Sequence, residues 1–182
     1  MSPCSRRKFL NHSASVVVSG LLPLPALAAV AHPTDRRRSL SLFNTHTREV
    51  LEAVYFKDGR YQPDALVSIN TILRDHRTEE IKPIDLRLLD TLCLLRTRIN
   101  TDQPFHIISG YRSPATNEML RKQTNGVART SYHIQGRAVD IRLPGYGTHR
   151  LHGQCMRLNS GGVGYYPKSD FVHLDTGPAR NW

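Results

Sequence analysis

The chain lacks a hydrophobic run long enough to cross a bilayer as a helix. Its longest, Ala14 to Ala29, is shorter than the roughly 20 apolar residues such a span needs, and Pro23 and Pro25 interrupt it. Acidic residues are scarce. Fifteen Asp and Glu stand against 25 Lys and Arg, a formal net charge of +10, so the surface favours an anionic partner. Cysteine is scarcer still: beyond Cys4 near the start there are only Cys93 and Cys155. A disulfide-built scaffold is therefore excluded, while one bridge or two buried thiols are both compatible with the count. No internal repeat and no break in composition marks a second domain. A covalent catalytic route also lacks its parts, because Ser113 and Ser131 have no recognisable base partner and Cys155 has no supporting context.

What is present begins with Ser5-Arg6-Arg7-Lys8-Phe9-Leu10, a twin arginine ahead of the apolar run, which ends in Ala26-Leu27-Ala28. Small residues at those positions suit a signal peptidase, so residues 1–28 read as a twin-arginine export signal cut after Ala28. An uncleaved anchor and a basic arm on a cytosolic protein are the competing readings, and the two prolines weigh against the anchor. Cys4 precedes the twin arginine and is poorly placed for lipid attachment. The export reading implies the twin-arginine machinery as partner, contact with the membrane only during export, and a periplasmic place of work. The carboxylate-rich cell wall is then the anion that a basic surface meets, rather than nucleic acid. Residues 29–39, with Pro33 and Arg36-Arg37-Arg38, read as a linker, and 40–182 as one domain.

Within that domain, Ser39 to Asn44 and Glu49 to Phe56 have strand patterning, and Lys57-Asp58-Gly59-Arg60 is a turn signal. From Pro63, helical spacing joins Leu66, Ile69, Leu73 and His76, which makes His76 a core or boundary histidine on an apolar stripe. Ile84, Leu88, Leu92, Leu95 and Ile99 continue in a second helix. Pro104 to Ser109 reads as a strand, and Ser113-Pro114 as the cap and first position of a helix ending near Gln123. Arg112 then lies at a strand-to-helix junction, suited either to gripping a carboxylate or to tying the loop to a backbone carbonyl. A strand over 137–143, a helix over 148–159 weakened by Gly153, and short strands at 163–166 and 171–176 complete the chain. The expected class is α+β, a small antiparallel sheet with helices packed against it.

Three side chains in this pattern suit a metal. His133 and Asp140 stand seven positions apart across Gly136, which lets the chain bend from loop to strand, and His173 lies in the short run 171–175. Hydrolytic zinc takes three ligands from His, Asp and Glu and keeps a fourth position for water. Two imidazoles and one carboxylate meet that count, although iron, nickel or copper would bind the same set. Strand parity puts Asp175 on the face of His173. Asp170 falls on the other face unless it precedes the strand in a turn, and both acids are candidate general bases.

Ser109-Gly110-Tyr111-Arg112-Ser113, Ser131-Tyr132-His133 with Gly136 and Asp140, Gly161-Gly162-Val163-Gly164-Tyr165-Tyr166, and Phe171-Val172-His173-Leu174-Asp175-Thr176-Gly177-Pro178 ending at Trp182 together resemble the YcbK-like peptidoglycan endopeptidases. These belong to the zinc D-alanyl-D-alanine carboxypeptidase and endopeptidase class. The resemblance implies Zn2+ on His133, Asp140 and His173, and strands of the sheet that carry the ligands. It implies hydrolysis of peptide cross-links between stem peptides, first those joining two meso-diaminopimelate residues, with Arg112 aimed at the substrate. Related branches place an acid three residues before the last histidine, here Asp170. Others place a catalytic histidine two before it, where this chain has Phe171, so the base stays open between Asp170 and Asp175. A D,D- or L,D-carboxypeptidase and a non-catalytic wall-binding module are the alternatives.

Overall fold

The computed structural model describes residues 37–123 and 127–182. Residues 1–28, read above as an export signal, and residues 29–36 of the stretch read as a linker lie outside them. β1 (Arg37–Asn44) opens inside the stretch read as linker and pairs with β2 (Val50–Lys57) in an antiparallel hairpin, Leu42 opposite Leu51. Alternation sends Leu40, Leu42 and Asn44 inward. Asp58 (φ 52°) and Gly59 (φ 77°) both take the left-handed conformation that a two-residue hairpin turn demands, and β3 (Arg60–Tyr61) returns from it.

α1 (Pro63–Ile72) starts on its proline but ends four residues before His76, so the expected helix is shorter. The physical cause lies elsewhere in the chain. Past the helix end, the Leu73 carbonyl accepts the Tyr111 N–H at 2.7 Å, and the following residues turn to dock on that loop. His76 is therefore not on the helical stripe; its ring stacks on His46, centroids 3.8 Å apart and nearly parallel. α2 (Leu86–Ile99) begins one turn-residue after Ile84, capped by Asp85, whose carboxylate accepts the Arg87 N–H, and it stops at left-handed Asn100.

β4 (Phe105–Ser109) leads to α3 (Pro114–Gln123), where the Ser113 hydroxyl accepts the Thr116 N–H as the sequence predicts. β5 (Ala138–Arg142), α4 (Thr148–Leu158), β6 (Gly162–Tyr166), β7 (Phe171–Asp175) and β8 (Arg180–Asn181) follow. Gly153 is accommodated within α4, with nothing near it. Cys93 and Cys155 are buried and unpaired.

The class is α+β as expected, but the sheet is not small. Among the described residues it has eight strands in the order β3-β2-β1-β4-β5-β7-β6-β8. It is mostly antiparallel, with parallel neighbours β1/β4 and β6/β8. The N-terminal hairpin joins the rest through the parallel pairing of Leu42 with Phe105, a contact that no local pattern announces. One face, with Leu40, Leu42, Phe105, Ile107, Ile141 and Val172 fully buried or nearly so, is the core under the helices. The alternate residues of β5 and β7, among them Asp140 and His173, point to the other face.

Candidate metal centre

His133 sits on a short 3-10 helix, Tyr132–Gln135, whose first turn is closed by the Ser131 hydroxyl accepting the His133 N–H. Gly136 ends it at φ 68°, and a Cβ there would meet the Pro83 carbonyl oxygen at 2.5 Å. Both the conformation and the close approach require glycine. The chain then enters β5, where Asp140 stands directly opposite His173 of β7. The three side chains converge. His133 Nε2 is 3.2 Å from His173 Nδ1 and 3.3 Å from Asp140 Oδ1, and the last two atoms are 2.8 Å apart. A tetrahedral ion with ligand bonds near 2.0–2.1 Å sets its donors roughly 3.3 Å apart, so the triangle has the size of a metal site.

The outer nitrogens of both imidazoles are already committed. His133 Nδ1–H donates to the Gly110 carbonyl at 2.7 Å, and His173 Nε2–H donates to Asp175 Oδ2 at 3.0 Å. Each bond turns the lone pair of the inner nitrogen toward Asp140. Two nitrogen lone pairs and a carboxylate oxygen then face one point, an arrangement that a cation satisfies. The electrostatics agree. Burial would raise Asp140, but the charge and hydrogen bonds of His133 and His173 hold its carboxyl well below the usual range. Burial lowers the His133 imidazole from its ordinary value. Burial also opposes charge on His173, yet its bonds to Asp140 and Asp175 win and push it up to about 9. His133, Asp140 and His173 could hold a metal ion, and no other such group of three occurs among the described residues.

The remaining predicted residues are placed differently from one another. Asp175 shares the face of His173, as parity requires, but its side chain is fully buried and its oxygens are filled. Besides His173, Arg180 grips both of them at 2.6 and 3.0 Å, and the N–H groups of Gly162 and Gly177 donate to Oδ1. Although burial opposes it, these bonds hold the carboxyl well below its ordinary value. Asp170 precedes β7 in a left-handed turn (φ 51°), exposed, bonded to the Thr148 hydroxyl and 3.7 Å from Arg142. Arg112 is close to the ligands, 3.7 Å from Asp140 Oδ2, and its guanidinium bonds the side chains of Ser109 and Asn117 at 3.3 and 3.4 Å rather than a loop carbonyl.

Sequence reasoning missed Arg180 and assigned no role to Trp182. The indole lies 5.3 Å from the His173 ring, donates to the Tyr166 hydroxyl at 2.8 Å, and lies so close to Gly164 that a Cβ there would meet it at 2.7 Å. Gly164 opposite His173 in the β6–β7 ladder was the available signal, since a strand glycine marks close approach by another group.

The family described as Peptidoglycan L,D-endopeptidase MepK matches residues 32–182 of this chain. The protein of Escherichia coli strain K12 called Peptidoglycan L,D-endopeptidase MepK is 42% identical over 178 residues, covering 98% of this chain and 97% of that one. A Haemophilus influenzae protein called Probable peptidoglycan L,D-endopeptidase MepK is 35% identical over 179 residues, covering 98% and 95%.

Proposed function

The chain belongs to the family of peptidoglycan L,D-endopeptidases matched over residues 32–182, and from that membership we propose that it hydrolyses peptide cross-links of peptidoglycan with a zinc ion held by His133, Asp140 and His173. The preferred bond is the one between two meso-diaminopimelate residues. The observation that carries the metal assignment is the triangle of ligand atoms, 2.8, 3.2 and 3.3 Å on its sides, with both outer imidazole nitrogens pinned. A bound zinc ion supplies Lewis acidity, lowering the pKa of coordinated water to about 7 and polarising a carbonyl.

The chain's own residues supply the rest. Asp175, saturated by donors, orients His173 and sharpens its basicity rather than taking a proton. Asp170 keeps an exposed carboxylate three residues ahead of His173, and we assign it proton transfer, from attacking water and then to the leaving amine. Arg112 holds a free carboxylate of the stem peptide; its hydrogen bonds are long and leave donors to spare. The twin-arginine leader read in residues 1–28 supports a periplasmic place of action.

Metal analysis combined with digestion of purified cross-linked dimers tests this, using the zinc-loaded protein, a chelated sample and His133→Ala. One equivalent of zinc and conversion of diaminopimelate-linked dimers to monomers, lost in the other two samples, is the expected result. Zinc at one equivalent with every dimer intact would replace the enzyme by a wall-binding module.

A further inference from the structure

We propose that Arg77 is a second carboxylate-binding residue, acting with Arg112 so that two guanidiniums read two free carboxylates on one stem peptide. This deepens the endopeptidase reading and rests on it. Asp75 is 2% exposed and spends its carboxylate on backbone. Oδ1 accepts the Arg77 N–H at 2.9 Å and Oδ2 accepts the Ser113 N–H at 2.8 Å. One carboxylate thus ties residue 77 to the residue that follows Arg112. The same two segments are joined again where Tyr111 N–H meets the Leu73 carbonyl at 2.7 Å, with Gly110 pressed against the Leu73 backbone.

This double clamp seats the exposed Arg77 beside the Arg112 loop, because its N–H and that of Ser113 share the Asp75 carboxylate. Two cations on neighbouring, clamped segments suit a ligand with two negative charges, and the neighbouring acids do not serve. Asp75 is used by backbone N–H groups, and Glu79 is committed to Arg74 at 2.6 Å. Among the described residues the Arg77 guanidinium has no carboxylate partner, and Arg112 has only Asp140 at 3.7 Å.

A ligand that matches is a peptide bearing two carboxylates a short alkyl chain apart, which is the chemistry of a stem peptide ending in diaminopimelate, a residue with a carboxylate at each end. Arg112, partly buried and next to the metal ligands, takes the carboxylate near the scissile bond. Arg77, exposed, takes the distal one. A wall whose distal carboxylate is amidated would be a poorer substrate.

The test uses the zinc-loaded protein and two probes, the L-alanyl-γ-D-glutamyl-diaminopimelate tripeptide as the free acid and as its distal amide. Binding is read from the single tryptophan, Trp182, which lies 5.3 Å from His173. The wild type is expected to prefer the free acid by about tenfold, the size of one charge-assisted hydrogen bond. Arg77→Ala should abolish that preference at an unchanged melting temperature, and Arg77→Lys should restore part of it. Equal affinity of the wild type for both probes, no binding of either, or a preference that survives Arg77→Ala would overturn the proposal. Failure to cleave cross-linked dimers while the preference holds would sink the endopeptidase reading and leave the carboxylate site standing.

Discussion

At the scale of single residues, each carboxylate near the centre has a distinct environment, and the environment sets its role. Asp140 faces two imidazoles, Asp175 is enclosed by Arg180 and two backbone N–H groups, and Asp170 faces solvent. Two carboxamides separate the last two. Asp175→Asn trades the charge and one acceptor oxygen for an NH2 group and so weakens the hold on the His173 tautomer, and zinc affinity measured against a competing chelator should fall about 10- to 100-fold. Asp170→Asn should keep one equivalent of zinc while kcat falls about 100-fold or more. A full kcat in the second variant would remove Asp170 from proton transfer.

Among the elements, the loop of Arg112 is held in place less by its neighbours in sequence than by the turn after α1. Asp75 is the link, and its ionisation couples that link to pH. Burial alone would raise its carboxyl, but hydrogen bonds from Thr116 and from the Arg77 and Ser113 backbone prevail and pull it down to about 2 from an ordinary 3.8. A group depressed on folding stabilises the native state above its unfolded value and loses that contribution as pH falls through its folded value. The Asp75 contribution is therefore complete above about pH 4 and gone below about pH 2. Thermal melts between those values should be steeper in pH for the wild type than for Asp75→Asn. At neutral pH the variant should lose roughly 2–3 kcal/mol, because a charge that satisfies buried N–H groups has been removed. Identical pH slopes would show that the link carries no charge-dependent stability.

For the whole molecule, the sheet divides its work between faces. Helices cover one side, and β5 and β7 present Asp140 and His173 on the other, so the centre rests on paired strands rather than on loops alone. Metal binding should then be coupled to global stability. At a thousandfold excess over its dissociation constant a ligand adds about 4 kcal/mol, and for a domain of this size each kcal/mol shifts the melting temperature by about 2–4 °C. Calorimetry should record a fall of about 10 °C on chelation, reversed by zinc. No helix among the described residues is long and apolar enough to cross a membrane.

Local chemistry was legible in the sequence wherever a residue type has few other uses. Asp58-Gly59 announced its turn because glycine and aspartate tolerate positive φ, and Ser113-Pro114 announced a helix start because proline suits the first turn. His133, Asp140 and His173 stood out as a set because metal chemistry draws on few side chains, and the structure brings the three together. Other features depend on distant contacts. α1 stops where the Leu73 carbonyl meets Tyr111, the hairpin joins the sheet through β4, Asp175 is filled by an arginine from β8, and Asp75 ties Arg77 to Ser113. The sequence by itself determined which side chains can bind a metal and where most elements begin. Only the tertiary structure decided which carboxylates remain free, because a carboxylate's availability depends on how many donors the fold brings to it, and those donors come from remote parts of the chain.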